Sequence, residues 1–138
     1  MKVTKLGSAT VLVETKDARI LCDPWLGQNA YEGTWTQFPY IKDKTKLIGD
    51  FDLIYISHIH PDHYCNDTIS YLFEQFGEKK LLIADWGKNP NYLAKKIISD
   101  GNEKNLLISN ELLFGDTSIR IIPNHTNSSS DIDSAIIV

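Results

Sequence analysis

Three of the four histidines in the chain, His58, His60 and His63, fall within six residues, in the run Phe51-Asp-Leu-Ile-Tyr-Ile-Ser-His-Ile-His-Pro-Asp-His63. In an extended segment, residues two apart face the same way, so His58 and His60 can offer two imidazoles to one cation while Ile59 turns back toward the core. Asp62 and His63, beyond the turn at Pro61, point to a neighbouring position. Borderline cations such as zinc accept this mixture of imidazole nitrogen and carboxylate oxygen, and manganese or iron can also be held by it. The spacing therefore predicts a site for one or two metal ions. A cluster of solvated loop histidines is the bland alternative, and the buried strand expected just before the cluster weighs against it.

That strand is Leu53, Ile54, Tyr55 and Ile56, an apolar run rich in β-favouring residues that reads as buried on both faces of a sheet. Ser57 ends the run, and the histidines then lie on the loop at the strand's carboxyl end, where open α/β sheets place ligand sites. Upstream, residues 3–6, 10–14 and 19–22 read as a three-stranded meander broken at Gly7-Ser8 and Lys16-Asp17. It delivers Asp23 to the end of its third strand, before Pro24; by itself this is an ordinary turn-starting aspartate.

Downstream, Asn66 or Asp67 is expected to cap a helix whose Ile69, Leu72, Phe73 and Phe76 share one face, closed by Gly77. A strand at 81–84 follows. Asn89-Pro90 should then open a second helix with Leu93, Ala94, Ile97 and Ile98 on its buried face. Strands are expected at 105–109, 111–114 and 117–122, the last two joined as a hairpin across Gly115-Asp116, and another from 132 to 138. Strand alternating with helix makes the chain α/β. His125 follows the 117–122 strand, and a lone histidine there is usually structural or exposed.

His58-x-His60-x-Asp62-His63 after a hydrophobic strand resembles the signature of the metallo-β-lactamase superfamily. The context, Cys22-Asp23-Pro24-Trp25-Leu26 upstream and Pro123-Asn124-His125 downstream, is similar to its lactonase-like and sialic-acid-hydroxylase-like branches. The resemblance implies an αββα sandwich with a mixed sheet and helices on its outer face. It implies that His125 joins His58 and His60 on one metal, that Asp62 and His63 serve a second, and that Asp23 supports the site through hydrogen bonds without binding metal. It further implies metal-activated water attacking an ester, lactone, amide or phosphodiester, with Asp62 orienting that water.

The family's fourth motif, an aspartate bridging both metals, and its fifth, a histidine on the second, have no counterpart. Asp133 is placed before a strand instead of after one and is a poor candidate for the bridge. Residues 1–138 therefore read as one partial domain, the amino-terminal half of a longer protein, inactive alone. Leu81 to Ile83 and Ile136 to Val138 would then show apolar side chains to water.

With 138 residues and 42% hydrophobic content, the chain is long enough for a real core. A net charge of −4 gives no general attraction to phosphate backbones, so a small-molecule substrate is expected and nucleic acid is not. The opening Met1-Lys2-Val3-Thr4-Lys5 has no apolar segment of a signal peptide and nothing approaches a membrane span; a cytoplasmic location is expected. Two cysteines, Cys22 and Cys65, are too few for a disulfide framework and read as core filler or as neighbours of the metal.

The segment 25–46 has no sustained period and carries Trp25, Tyr31, Trp35, Phe38 and Tyr40. Its rings either pack the loop onto the sheet or wall a ring-bearing substrate. Beside the hydrolase reading stand an iron-dependent oxygenase or oxidoreductase of the same fold, and a metal-binding fragment without turnover. No Rieske-type cysteine and histidine pairs are present.

Overall fold

A computed structural model describes residues 1–26, 30–38, 42–87, 91–124 and 133–138. Among the described residues nine strands form two sheets. The first has β1 (Lys2–Lys5), β2 (Val11–Glu14), β3 (Arg19–Cys22), β4 (Leu53–Tyr55), β5 (Lys80–Ile83) and β6 (Leu106–Ile108), adjacent in that order. The first three pair antiparallel, as the meander required, and β3 through β6 pair parallel. Parallel neighbours need crossovers, and the last two of these carry the longer helices, α2 (Asn66–Phe76) between β4 and β5 and α3 (Tyr92–Ser99) between β5 and β6. Right-handed crossovers put both helices on one face of the sheet.

The other face is taken by the second sheet, β7 (Glu111–Phe114), β8 (Thr117–Pro123) and β9 (Ser134–Ile137), antiparallel throughout. Ile119 and Ile121 alternate inward from β8 and join the core that Leu21, Ile54 and Leu82 share with Ile69, Leu72 and Ile97 of the helices. Leu81, Leu82 and Ile83 are completely buried, which corrects the expectation of an exposed face there. The reason is that β7 to β9 already supply a cover for the first sheet. Ile137 is 52% exposed, with Ile136 half-buried, so the expectation held only for the outward residue of that strand.

Two cap positions also differ. Cys65, not Asn66 or Asp67, occupies the N-cap of α2, and it makes no side-chain capping bond. Asn91 caps α3 by accepting from the Ala94 amide at 2.9 Å; Asn89 and Pro90 lie outside the described residues. Ile98 is 43% exposed, so the buried face of α3 is Leu93, Ala94 and Ile97 only. In the long segment after β3, a five-residue helix α1 (Lys44–Ile48) was illegible because it is too short to show a period.

The turns β2–β3 and β7–β8 meet at one end of the molecule. Asp17 accepts hydrogen bonds from the Asp116 amide (3.1 Å) and the Thr117 hydroxyl (3.4 Å), while Thr15 and Thr117 hydroxyls pair at 2.8 Å. Gly115 has φ +55°, and a Cβ there would stand 2.9 Å from Asp17 Cγ. Gly115→Ala should therefore cost about 1–2 kcal/mol for the left-handed conformation, plus the displacement of Asp17, read as a lower urea midpoint.

Candidate metal centre

β3 and β4 run side by side with Cys22 opposite Tyr55, so the residues just past each strand emerge together. The Asp23 amide donates to the Tyr55 carbonyl (2.8 Å), continuing the ladder by one step. Asp23 then leaves the strand in the left-handed region, φ 45°, a conformation that aspartate tolerates better than most residues. Its carbonyl accepts from the Thr10 hydroxyl (3.0 Å), and its carboxylate turns to Ser57, taking the amide on Oδ1 (2.7 Å) and the hydroxyl on Oδ2 (2.8 Å). The whole residue is 8% exposed and held from both ends.

Those bonds determine the tautomers of two histidines. A carboxylate only accepts, so His63 Nδ1, 3.0 Å from Asp23 Oδ2, carries the proton, and in the neutral ring Nε2 is left bare. Ser57 Oγ spends its one proton on Asp23, so at 2.9 Å from His58 Nδ1 it accepts, and His58 Nε2 is likewise bare. His58 Nε2 faces His60 Nδ1 at 3.0 Å. Two nitrogens sharing one zinc through bonds of ~2.0–2.1 Å stand about 3.3 Å apart, so this pair needs to open by only a few tenths of an ångström. His63 Nε2 and Asp62 Oδ2 stand 3.6 Å apart, again a spacing at which two donors can share an ion. The His58 and His63 rings lie 3.9 Å apart between centroids, so the two donor pairs are neighbours.

The turn that carries these groups is closed by the His63 and Tyr64 amides donating to the His60 carbonyl. Its far end is anchored where the Tyr64 hydroxyl donates to Asp100 at the end of α3 (3.0 Å). Burial is the largest influence on both His58 and His63 and disfavours charge. At His58 it prevails, helped by the nearby His63, and the ring's pKa falls below the ordinary value. At His63 the Asp23 hydrogen bond and the charges of Asp23, Asp62 and Asp133 outweigh it, and the pKa rises. Burial beside Asp23 pushes the Cys22 thiol up to about 12, which fits a core role.

His58, His60, Asp62, His63 and Asp23 are thus brought together; His125 lies outside the described residues. Among the described residues no group of three His, Cys, Asp or Glu side chains closes around one point, so what is present is two donor pairs. Asp133 stands on the far side of His58, its Oδ1 3.5 Å from Nδ1, and not between the pairs.

Two contributors went unnoticed in the sequence. Ser57 had a weak signal, a hydroxyl between a buried strand and a histidine. Tyr31, whose hydroxyl donates to Asp62 Oδ1 (3.0 Å), had none, being 31 residues away in the chain. Of the aromatics of the long segment, Trp25 is 2% exposed and packs inside, Trp35 and Phe38 are 52% and 97% exposed, and Tyr40 lies outside the described residues.

Comparison with known proteins bears on the family and the fold. The "Putative Rieske 2Fe-2S iron-sulfur protein" of Mycolicibacterium smegmatis is 43% identical over 68 residues, 46% of this chain and 12% of that protein. Cytidine monophosphate-N-acetylneuraminic acid hydroxylase of Mus musculus is 30% identical over 86 residues, 62% of this chain and 15% of that protein. The chain thus spans under a sixth of the length of these relatives.

Among solved structures, CmlA, a diiron β-hydroxylase from Streptomyces venezuelae, superposes with a TM-score of 0.61 at 18% identity, covering 97% of this chain and 26% of that one. Igni18, a metallo hydrolase from Ignicoccus hospitalis, does so at 0.56 and 20%, covering 98% and 54%. Both share the fold. The model of the beta-lactamase superfamily domain matches residues 2–131, nearly the whole two-sheet frame that carries the donor pairs, and the chain belongs to that superfamily.

Proposed function

We propose that this chain is the metal-holding part of a metal-dependent hydrolase acting on an ester, lactone, amide or phosphodiester in a small molecule. The observation that carries the reading is His58 Nε2 facing His60 Nδ1 at 3.0 Å, two ring nitrogens that share a proton where a cation could take its place, while Ser57 occupies the other side of His58. His58 and His60 would hold one ion with His125 completing the set, and Asp62 with His63 would hold a second. A bound divalent cation lowers the pKa of its water from 15.7 toward ~7, making a nucleophile available at neutral pH.

The protein's own groups do the rest. Ser57 and Asp23 keep two imidazoles in the metal-binding tautomer, and Asp62, 8% exposed with Oδ2 3.6 Å from His63 Nε2, would orient that water as well as hold the second ion. A net charge of −4 supports a small-molecule substrate over nucleic acid. No helix among the described residues is long and apolar enough to cross a membrane.

A second reading is an iron-dependent oxygenase. The curated relatives above favour it, being named as an iron–sulfur protein and a hydroxylase, and imidazole with carboxylate suits iron as well as zinc. Metal analysis of the full-length protein separates the two: zinc or manganese with hydrolysis supports the first, iron with oxygen consumption the second.

Ser57→Ala tests the geometry common to both. It keeps the backbone bond to Asp23 and removes the hydroxyl that orients His58, so metal affinity should fall roughly 10–100-fold with the fold intact, measured by competition with a chromogenic chelator.

A further inference from the structure

Asp62 has a neighbour at each oxygen, one adjacent in sequence and one far along the chain. Oδ2 stands 3.6 Å from the bare Nε2 of His63, and Oδ1 accepts from the Tyr31 hydroxyl at 3.0 Å. A carboxylate pinned on one oxygen cannot rotate to offer that oxygen elsewhere, so the other becomes its single donor. Tyr31 reaches this position through an unusual backbone. Tyr31 and Glu32 are consecutive non-glycine residues in the left-handed region, φ 50° and 57°, conformations that persist only where surrounding structure enforces them.

The enforcement is visible. Ala30 is fully buried and bridges to Trp35, the Gly33 amide donates to the Ala30 carbonyl (3.2 Å), and the Thr34 hydroxyl donates to the Tyr31 carbonyl (2.7 Å). The Trp35 ring then backs the Tyr31 ring with centroids 4.6 Å apart. The one phenol of this tight turn meets the one carboxylate of the His-x-His-x-Asp-His run.

We propose that Tyr31 is a positioning residue for the second metal position: its hydroxyl holds Asp62 in the orientation in which Oδ2 and His63 Nε2 act together. This rests on Asp62 and His63 being a donor pair, as read above. It is tested in the full-length protein by titrating Co(II) into the metal-free form and following the two binding equivalents by their d–d absorption, for wild type, Tyr31→Phe and Asp62→Ala.

Tyr31→Phe, which removes one oxygen atom, should weaken the second equivalent about tenfold or more while the first stays within about twofold. The thermal transition of the metal-free protein should be unchanged. Asp62→Ala should abolish the second equivalent. If Asp62→Ala does so and Tyr31→Phe leaves both equivalents at wild-type affinity, the role given to Tyr31 is wrong and the site reading stands. If Tyr31→Phe weakens both equivalents alike, or lowers the transition of the metal-free protein, Tyr31 merely braces the loop and the proposal is overturned. If Asp62→Ala retains both equivalents, the donor pair itself is wrong and the proposal falls with it.

Discussion

His60→Ala in the full-length protein should abolish metal retention at the His58 position and, with it, turnover. Substituting a residue that only orients a ligand typically lowers affinity 10–100-fold, and removal of a ligand itself should exceed that, by roughly a hundredfold at least. The fold should tolerate the change, because His60 is exposed at the start of a turn closed by main-chain bonds to its own carbonyl, which alanine retains.

Cys65→Ala makes the control. Cys65 is near in sequence but sits at the N-cap of α2 with no side-chain capping bond, so metal content and activity should stay within a few fold. Metal content by atomic absorption after dialysis against a weak chelator reads both variants. A His60→Ala protein that keeps its full complement of metal would end the assignment of the site.

Leu82→Ala should be the most damaging change to stability. Leu82 lies on a central strand, opposite Tyr55, whose hydroxyl pairs with Ser134 of the second sheet at 2.7 Å. Directly opposed residues share a face, so Leu82 points into the space between the two sheets, and it is completely buried. Truncating such a leucine costs about 2–5 kcal/mol, transfer and cavity together, out of a net stability of about 5–15 kcal/mol for a domain. Equilibrium urea unfolding should show a midpoint lowered in proportion. A loss under about 1 kcal/mol would mean that the sheets do not pack as described.

Much of the frame was legible because the periods are local. The boundaries of β3 and β7 follow from their residues, and the Gly115-Asp116 hairpin from its two-residue turn, since strand pairing across so short a link leaves one register. The N-caps of both longer helices were misplaced by one or more residues. A cap is chosen by the backbone that enters it, and Cys65 arrives extended, φ −126°, from the tight turn before it. The burial of Leu81 to Ile83 was misread because it depends on which strands return to cover β5, a question of topology that no local pattern answers.

The site divides along the same line. Residue type and spacing alone determined which side chains could hold metal, because His58, His60, Asp62 and His63 leave one strand on one short loop, and neighbours in sequence there are neighbours in space. The tertiary structure decided how they are held. The parallel pairing of β3 with β4 sets Asp23 beside Ser57 across 34 residues of chain, and from that contact follow the tautomers of His58 and His63. A strained turn brings Tyr31 to Asp62 across 31 residues. Hydrogen bonds at such separations are made only after the chain has folded back on itself, so their partners are matched by the geometry of the sheet and not by spacing along the sequence.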